Sequence, residues 1–318
     1  MRKWSVVPIP RIRLALRDWD HLVPLLTGRV RARGVALEIE TREITPDVLA
    51  EPGLDGGETS FSRYALGRGD GDERLAGLPV FVMRGFRQRC VLVRNDSDLA
   101  APRDLAGATI GLTGWPDSGN TWTRALLRAE GVDLSAIRWR VGPLAAGETG
   151  KDRLGARPLP ANVRVADRSL IDGLADGTFD AVFTPFMPPE MFTRHSRFRH
   201  LYEDHRRAEK EYFARTGFVP GIHILALKRE VADEHPWLPE VLQDAFEESK
   251  RVWLQRRRLL TDTTPWLLDE LETQARLFGD DWMPYGGGAN AAMVAAFCEE
   301  LYEQGIAPRP IKAEEVFA

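Results

Sequence analysis

One stretch decides the fold, residues 104–112, which has the sequence DLAGATIGL. Its first four residues predict a turn, and residues 108–112 predict a short buried strand because their side chains are mostly apolar. A polar loop follows over residues 113–120, and a helix is expected from there to Gly131, a residue typical of the position just past a helix end. Strand, loop and helix in this order are the repeating unit of an α/β fold.

The same alternation continues on both sides of this stretch. Residues 169–177 predict a short helix, and the strand 180–183 follows at once. Further on, residues 236–258 predict a long helix, and Asn290 is the expected N-cap of the last helix. The remaining predicted strands are residues 12–16, 35–39, 78–83, 90–94 and 221–227. Together they predict an α/β fold with mostly parallel sheets.

Composition excludes several classes of protein. The 318 residues are enough for two lobes, with 43% hydrophobic and 28% charged residues. The net charge of −4 and the dispersed arginines argue against a nucleic-acid partner. No run of 18 apolar residues is present, so no membrane span is expected. Pro8, Pro10 and Arg11 interrupt the segment after the N-terminus, so we expect no secretory signal and a cytoplasmic protein.

The sequence gives no indication of a metal or an organic cofactor. His200 and His205 lie in a charged segment, and a spacing of five does not align two ligands on one helix face. The two cysteines, Cys90 and Cys298, fall in apolar surroundings and are expected to be buried free thiols. There is no phosphate-binding glycine loop. We therefore expect no metal and no cofactor.

Several segments resemble the 4,5-dihydroxyphthalate decarboxylase family of the type II periplasmic binding protein superfamily. Residues 104–112 and 174–182 (LADGTFDAV) are similar to two segments of the second lobe in that superfamily. The following segments are similar to the decarboxylase family itself: ETSFSRY (58–64), LPVF (78–81), RGFR (84–87), GDDWMPYG (279–286) and EEVF (314–317). The resemblance covers roughly residues 11–318 and implies a two-lobed fold with a cleft between the lobes. Lobe 1 is expected from residues 1–95 and 222–318, and lobe 2 from residues 96–221.

The resemblance implies a cofactor-independent carboxy-lyase that acts on a hydroxylated aromatic carboxylate in aromatic compound catabolism. Two alternatives stay open: a solute-binding protein for a small carboxylate without catalysis, and another lyase on the same fold. A small aromatic carboxylate is the expected partner, with no nucleic acid and no membrane, and a homo-oligomer is compatible with the sequence.

Three residues are candidates for proton transfer. His223 lies where the family carries a histidine in an apolar strand, although a lone histidine there is also compatible with a core position. His21 and Glu58 lie in loops or at strand ends, where two-lobed α/β proteins bind ligands.

Substrate-binding candidates come from the same kind of position. Arg84 and Arg87 could hold a carboxylate through their guanidinium groups, and Phe86 between them could stack on an aryl ring, unless all three belong to a solvated turn. Ser118 and Asn120 could bind an anion at a helix start or simply cap the helix. The remaining candidates are Asp18, Asp20, Ser62, Gln88 and Trp115.

This chain departs from the family at three candidate positions. His21 stands where the family usually has arginine, and Gln88 where it usually has histidine. Residues 115–120 replace the usual Tyr-Gln-Met-Thr loop. The resemblance therefore implies that the natural substrate differs from 4,5-dihydroxyphthalate.

Overall fold

The computed structural model describes residues 9–148, 157 and 159–317. Within these residues the strands, numbered β1 to β11 along the chain, form two separate sheets. The first sheet has the order β2-β1-β3-β11-β4, with β1 at Arg11–Leu16, β2 at Ala36–Thr41, β3 at Gly56–Ser60, β4 at Leu75–Arg84 and β11 at Gly221–Lys228.

The second sheet has the order β10-β5-β9-β6-β7-β8. Its strands are β5 at Val91–Arg94, β6 at Thr109–Leu112, β7 at Arg138–Val141, β8 at Val163–Val165, β9 at Ala181–Phe183 and β10 at Phe198–His200. Strands β9, β6, β7 and β8 run parallel, whereas β5 is antiparallel to both of its neighbours.

Helices surround the two sheets. They are α1 at Val23–Leu26, α2 at Phe61–Gly69, α3 at Ser118–Ala129, α4 at Leu170–Ala175, α5 at His205–Thr216, α6 at Arg229–Glu234, α7 at Leu238–Leu259, α8 at Leu267–Phe278, α9 at Gly287–Glu303 and α10 at Ala313–Val316. No helix in the described part of the chain is long and apolar enough to cross a membrane.

Helix α3 links the two sheets through its aromatic face. The Trp122 ring packs on Phe297 of α9 at a centroid distance of 5.0 Å, and its indole N–H donates to the carbonyl of Gly221 at 2.9 Å. The apolar core continues from Phe81 in β4 of the first sheet to Trp139 in β7 of the second. Burial of this shared core fixes where the start of α3 lies relative to the first sheet.

The predicted α/β fold is confirmed, but the expectation of mostly parallel sheets holds only in part. Strand β11 inserts between β3 and β4 and is antiparallel to both. It comes from a distant part of the chain, so no local pattern in the sequence could give its direction. The predicted N-cap is also wrong, because α9 begins at Gly287 and Asn290 lies in its first turn.

The chain passes between the sheets at two adjacent points. The Gly85 N–H donates to the Pro220 carbonyl at 3.0 Å, so the outgoing and returning segments run side by side. The predicted lobe boundaries lie near these crossings and stay a prediction. Strand β5, which the boundary at residue 95 leaves with the first lobe, pairs within the second sheet.

Candidate active site

A carboxylate and an imidazole meet on the first sheet. Strand β3 pairs with β11 so that Glu58 lies opposite Leu225 and Ser60 opposite His223. Glu58 and His223 are therefore diagonal neighbours on one face of the sheet, within reach of each other's side chains. His223 Nδ1 lies 2.5 Å from Glu58 Oε1. The Glu58 side chain is 0% exposed and that of His223 is 15% exposed, so only the imidazole of the pair meets solvent.

Two further donors hold the second oxygen of Glu58. The backbone N–H of Arg17 and the indole N–H of Trp19 each donate to Oε2 at 3.0 Å. Burial alone would raise the pKa of Glu58, but the hydrogen bond and charge of His223, together with these two donors, hold the pKa below its usual value of 4.5. Glu58 is thus a buried, ionised carboxylate.

The ionised Glu58 orients the imidazole. A carboxylate only accepts hydrogen bonds, so His223 Nδ1 must carry the proton that lies between them. This leaves Nε2 as the ring atom that can take a proton from a ligand or return it. The arrangement is that of a general acid–base pair in which the carboxylate fixes the tautomer.

His21 lies near this pair but is deeply buried. Its ring packs edge-on against Trp253 at 6.1 Å, and its Nε2 has no hydrogen-bond partner among the described residues. Burial lowers the pKa of His21 to about 4, with Lys250 acting in the same direction and Glu58 opposing it. His21 is therefore neutral at pH 7.

Two helix starts face each other beside the Glu58–His223 pair. Ser118, at the start of α3, has its hydroxyl 2.9 Å from the hydroxyl of Ser60 and accepts the Ser62 N–H, also at 2.9 Å. The Ser62 hydroxyl donates to the Pro116 carbonyl. The N-cap of α3 is Asp117, so capping by Ser118 or Asn120 is not what the structure shows. Ser118 instead ties the second sheet's helix to the first sheet's helix α2.

Arg87 is buried against the first turn of α3. Its Nε donates to Thr123 Oγ1 at 3.2 Å, while Nη2 has no hydrogen-bond partner among the described residues. The guanidinium lies so close to Gly119 that a Cβ there would be 2.7 Å from Nη2. Burial lowers the pKa of Arg87. In the described part of the chain no carboxylate forms an ion pair with it.

Arg84, the last residue of β4, and Phe86 are close to Arg87 in sequence but make different contacts. Arg84 donates to the carbonyls of Val219 at 3.1 Å and Pro284 at 2.7 Å, and also to Asn290 Oδ1. Phe86 packs on other aromatic side chains, those of Tyr212 and Phe278. Arg84 and Phe86 line a cavity of about 200 Å³ between α5 and α8, whose lining does not include Glu58 or His223.

The other predicted binding residues are either buried in contacts within the fold or exposed at the surface. Gln88 accepts the N–H of Arg87 at 3.2 Å, and Asn120 donates to Gly114 O at 2.9 Å. Trp115 is buried under the Arg124 guanidinium, 3.8 Å from its ring centroid. Two carboxylates lie at the surface, Asp18 and Asp20. Within the described residues no hydrogen bond or ion pair joins any of them to Glu58 or His223.

The sequence did not single out three residues next to the pair: Arg17 and Trp19, which donate to Glu58, and Ser60, which lies opposite His223. It did not single out Phe186 either, which lies beside Arg17. Trp19 lies between Asp18 and Asp20, which the sequence predicts to bind substrate. Nothing in the sequence indicates that the Trp19 indole contacts Glu58. The Arg17 guanidinium lies 5.7 Å from the Trp19 ring centroid and 5.3 Å from that of Phe186, which follows β9 of the second sheet. Only the pairing of distant strands brings these side chains together.

No three His, Cys, Asp or Glu side chains among the described residues are grouped so that they could hold a metal ion. The expectation that the activity needs no metal or cofactor stays a prediction.

Comparison with known proteins gives two kinds of likeness. No family model matches the chain. The chain is 32% identical over 321 residues to the 4,5-dihydroxyphthalate decarboxylase of Comamonas testosteroni, covering 96% of both chains. It is 28% identical over 210 residues to the enzyme of the same name from Pseudomonas putida, covering 64% of this chain and 81% of that one.

Solved structures with a similar fold are more distant in sequence. The aliphatic sulphonate binding protein SsuA of Escherichia coli superposes with a TM-score of 0.58 at 14% identity, covering 97% of both chains. The desulfurization enzyme DSZB superposes with a TM-score of 0.55 at 16% identity, covering 97% of this chain and 96% of that one. These show a periplasmic binding protein fold and nothing finer. The identity and coverage shared with the Comamonas enzyme show more: the chain belongs to the 4,5-dihydroxyphthalate decarboxylase family.

Proposed function

We propose that the chain is a decarboxylase that acts on a hydroxylated aromatic carboxylate, with Glu58 and His223 as its proton-transfer pair. The observation that carries this proposal is the 2.5 Å contact between a fully buried carboxylate and a partly exposed imidazole. Such a pair can hold and move one proton at His223 Nε2 without a change in the charge of Glu58. The names of the relatives support the same class of reaction.

Arg87 is the proposed site for the substrate carboxylate. A buried guanidinium without an ion pair is costly, and a bound anion would offset that cost. Its free Nη2 lies beside Gly119 in the first turn of α3, where backbone N–H groups and the helix dipole also favour negative charge. A carboxylate bound there would lie at the meeting point of α3 and the first sheet.

The proposed reaction uses the ring hydroxyl as the electron sink. Loss of CO₂ straight from an arene would leave an unstabilised aryl anion. The substrate needs a hydroxyl ortho or para to the ring carbon that bears the carboxylate. When the proton of this hydroxyl is removed, that ring carbon can accept a proton, and the ring becomes a dienone. The bond between this carbon and the carboxylate then breaks, and CO₂ leaves. The electron pair of the broken bond restores the aromatic ring as a phenolate, and the phenolate oxygen regains a proton. His223 Nε2 is suited to the proton transfers, and the net change replaces the carboxylate with hydrogen.

The departures from the family pattern bear on which substrate is used. His21 is buried and neutral, so it cannot supply the positive charge that the family's usual arginine would supply there. A substrate with one carboxylate fewer, or with the carboxylate in another position, would suit this change. We therefore propose that 4,5-dihydroxyphthalate is not the preferred substrate.

The test is turnover of a panel of hydroxylated benzoates and phthalates, followed by detection of CO₂ and of the decarboxylated arene. His223→Ala should lower kcat by about 10²- to 10⁴-fold. The matched control is His195→Ala, because His195 is exposed. A His223→Ala enzyme with near-full kcat would contradict the assignment of the pair. Tight binding without CO₂ release would favour the solute-binding alternative, and efficient turnover of 4,5-dihydroxyphthalate would contradict the proposal on substrate.

A further inference from the structure

An aromatic side chain is exposed to solvent just after β9, an inner strand of the second sheet. Phe186 follows β9 and is 48% exposed. Its backbone is nevertheless fixed: the Phe186 N–H donates to the hydroxyl of Thr184 at 3.0 Å, that hydroxyl donates to the Phe186 carbonyl at 3.1 Å, and the Thr184 N–H donates to the carbonyl of Cys90 at 2.9 Å. Single exposed apolar side chains are common in proteins, so exposure alone does not indicate a role for Phe186. Its position in the fold does.

The ring lies beside the side chain of Arg17, the residue whose backbone N–H binds Glu58. The Arg17 guanidinium lies 5.3 Å from the Phe186 ring centroid, and the Arg17 N–H is bound to Glu58. Arg17 is itself fixed, because its Nε and Nη2 donate to the Glu43 carbonyl at 3.0 and 2.8 Å. Phe186 follows β9 of the second sheet and Arg17 follows β1 of the first, so the two side chains bring the ends of the two sheets into contact.

Phe186 also leaves the second sheet at the same edge as the proposed anion site. Strands β9 and β6 are parallel neighbours, so the loop that leads from β6 to α3 and the loop that carries Phe186 start at the same edge. Ligands of α/β proteins bind at this edge, beyond the carboxyl ends of the strands. Arg87 precedes β5, whose first residue Val91 pairs with Phe183 of β9, so Arg87 and Phe186 lie at the same edge of the second sheet. His223 lies near this edge, because Ser60 opposite it on the first sheet contacts Ser118 at the start of α3.

We propose that Phe186 is a specificity-determining residue that stacks on the aromatic ring of the substrate. This inference rests on the proposed function. A ring whose carboxylate is held by Arg87 and whose hydroxyl reaches His223 has its face left uncovered by both contacts. Offset stacking on Phe186 covers that face, and it favours planar aromatic acids over saturated acids of the same size.

The experiment compares Phe186→Ala and Phe186→Leu with Phe192→Ala. Phe192 is the matched control, because it is an exposed phenylalanine in the same segment, 79% exposed on the turn Pro189–Phe192. We expect Phe186→Ala to raise KM by roughly 5- to 50-fold, with a smaller effect on kcat. Inhibition by benzoate and by cyclohexanecarboxylate separates stacking from simple apolar contact. The preference for benzoate should fall in both Phe186 variants, and Phe192→Ala should behave as wild type.

The outcomes are distinguishable from one another. The inference is wrong if Phe186→Ala has both a KM and a preference for benzoate within about twofold of the wild-type values. A further variant, Phe86→Leu, tests the cavity between α5 and α8. If KM rises in Phe86→Leu and in neither Phe186 variant, the substrate ring binds in that cavity and the inference is wrong. If the wild type releases no CO₂ from any aromatic acid, the proposed function fails. A benzoate preference in binding that depends on Phe186 would then still support the stacking role.

Discussion

Replacement of Glu58 by glutamine tests the acid–base pair more sharply than its removal. Three donors converge on this carboxylate, the N–H of Arg17, the indole of Trp19 and Nδ1 of His223. A carboxylate accepts from all three, whereas an amide offers one oxygen and one NH₂ group. The variant keeps the shape of the side chain but cannot keep all three hydrogen bonds as they are.

The geometry decides which way the amide turns. If the NH₂ group faced Arg17 and Trp19, two buried donors would lose their acceptor, at a cost of about 1–3 kcal/mol each. If it faces His223, both of those bonds survive and the imidazole can accept at Nδ1 instead. The second orientation is therefore favoured, and it moves the imidazole proton to Nε2. His223 can then no longer take a proton from the substrate, so we expect kcat to fall by about 10²- to 10⁴-fold, or roughly 3–5 kcal/mol in the activation barrier.

Stability should change in a different way from activity. In the favoured orientation the Arg17 N–H and the Trp19 indole keep their acceptor, and His223 Nδ1 accepts one amide N–H. The second amide N–H has no acceptor, so the unfolding free energy at pH 7 should fall by about 1–3 kcal/mol. The folded state lowers the pKa of Glu58, so its contribution to stability is present above pH 4.5 and is lost as the pH falls further. Glu58→Gln should remove that part of the acid sensitivity.

The measurement is kcat and KM on the best substrate of the panel, together with urea unfolding at pH 7 and at acid pH. Glu299→Gln is the control, because Glu299 is exposed. A Glu58→Gln enzyme with kcat within about threefold of wild type would refute the argument, since the tautomer of His223 would then not matter for the reaction.

Two further predictions concern Arg87 and His21. Arg87→Lys keeps the charge but loses the planar fork, so KM should rise about 5- to 150-fold, equivalent to roughly 1–3 kcal/mol, and an unchanged KM would show that the carboxylate binds elsewhere. Burial lowers the pKa of His21 from 6.5 to about 4, so the folded state should lose on the order of 3 kcal/mol as the pH falls through that window. Between pH 7 and pH 4, the unfolding free energy measured in urea should fall less for His21→Phe than for the wild type. An equal fall in both proteins would show that His21 is not the cause of the pH dependence.

The strands and helices could mostly be predicted because they depend on local patterns. The segment around residues 108–112 and the long helix near 236–258 appear as β6 and α7 within a few residues. Sheet order could not be predicted in the same way. The place of β11 between β3 and β4 depends on burial across the whole first sheet, and no periodicity within residues 221–228 encodes a neighbour.

The candidate site was predictable as residues but not as contacts. Glu58 and His223 were both named as candidates, yet their contact joins positions 165 residues apart and follows from the pairing of β3 with β11. Trp19 was missed for the same reason, because its role depends on where Glu58 lies. Ser118 was expected at a helix start, and only the structure shows its hydroxyl bound to the other sheet's helix.

Three buried arginines show why hydrogen-bond satisfaction, more than residue type, points to a binding role. Arg84 donates to two carbonyls and an amide, and Arg124 donates to Gln304 Oε1 at 2.7 Å and Trp115 O at 2.6 Å while it covers the tryptophan ring. Within the described residues, the one hydrogen bond from the Arg87 side chain goes to Thr123. A guanidinium has five N–H donors, and leaving most of them without acceptors in a buried position is costly. Arg84 and Arg124 each leave one buried nitrogen without a partner, Nε of Arg84 and Nη1 of Arg124, and the fold binds their other two nitrogens. Arg87 binds the fold through Nε alone, so it has more donors to offer, and an anionic ligand is the partner that would use both those donors and the charge.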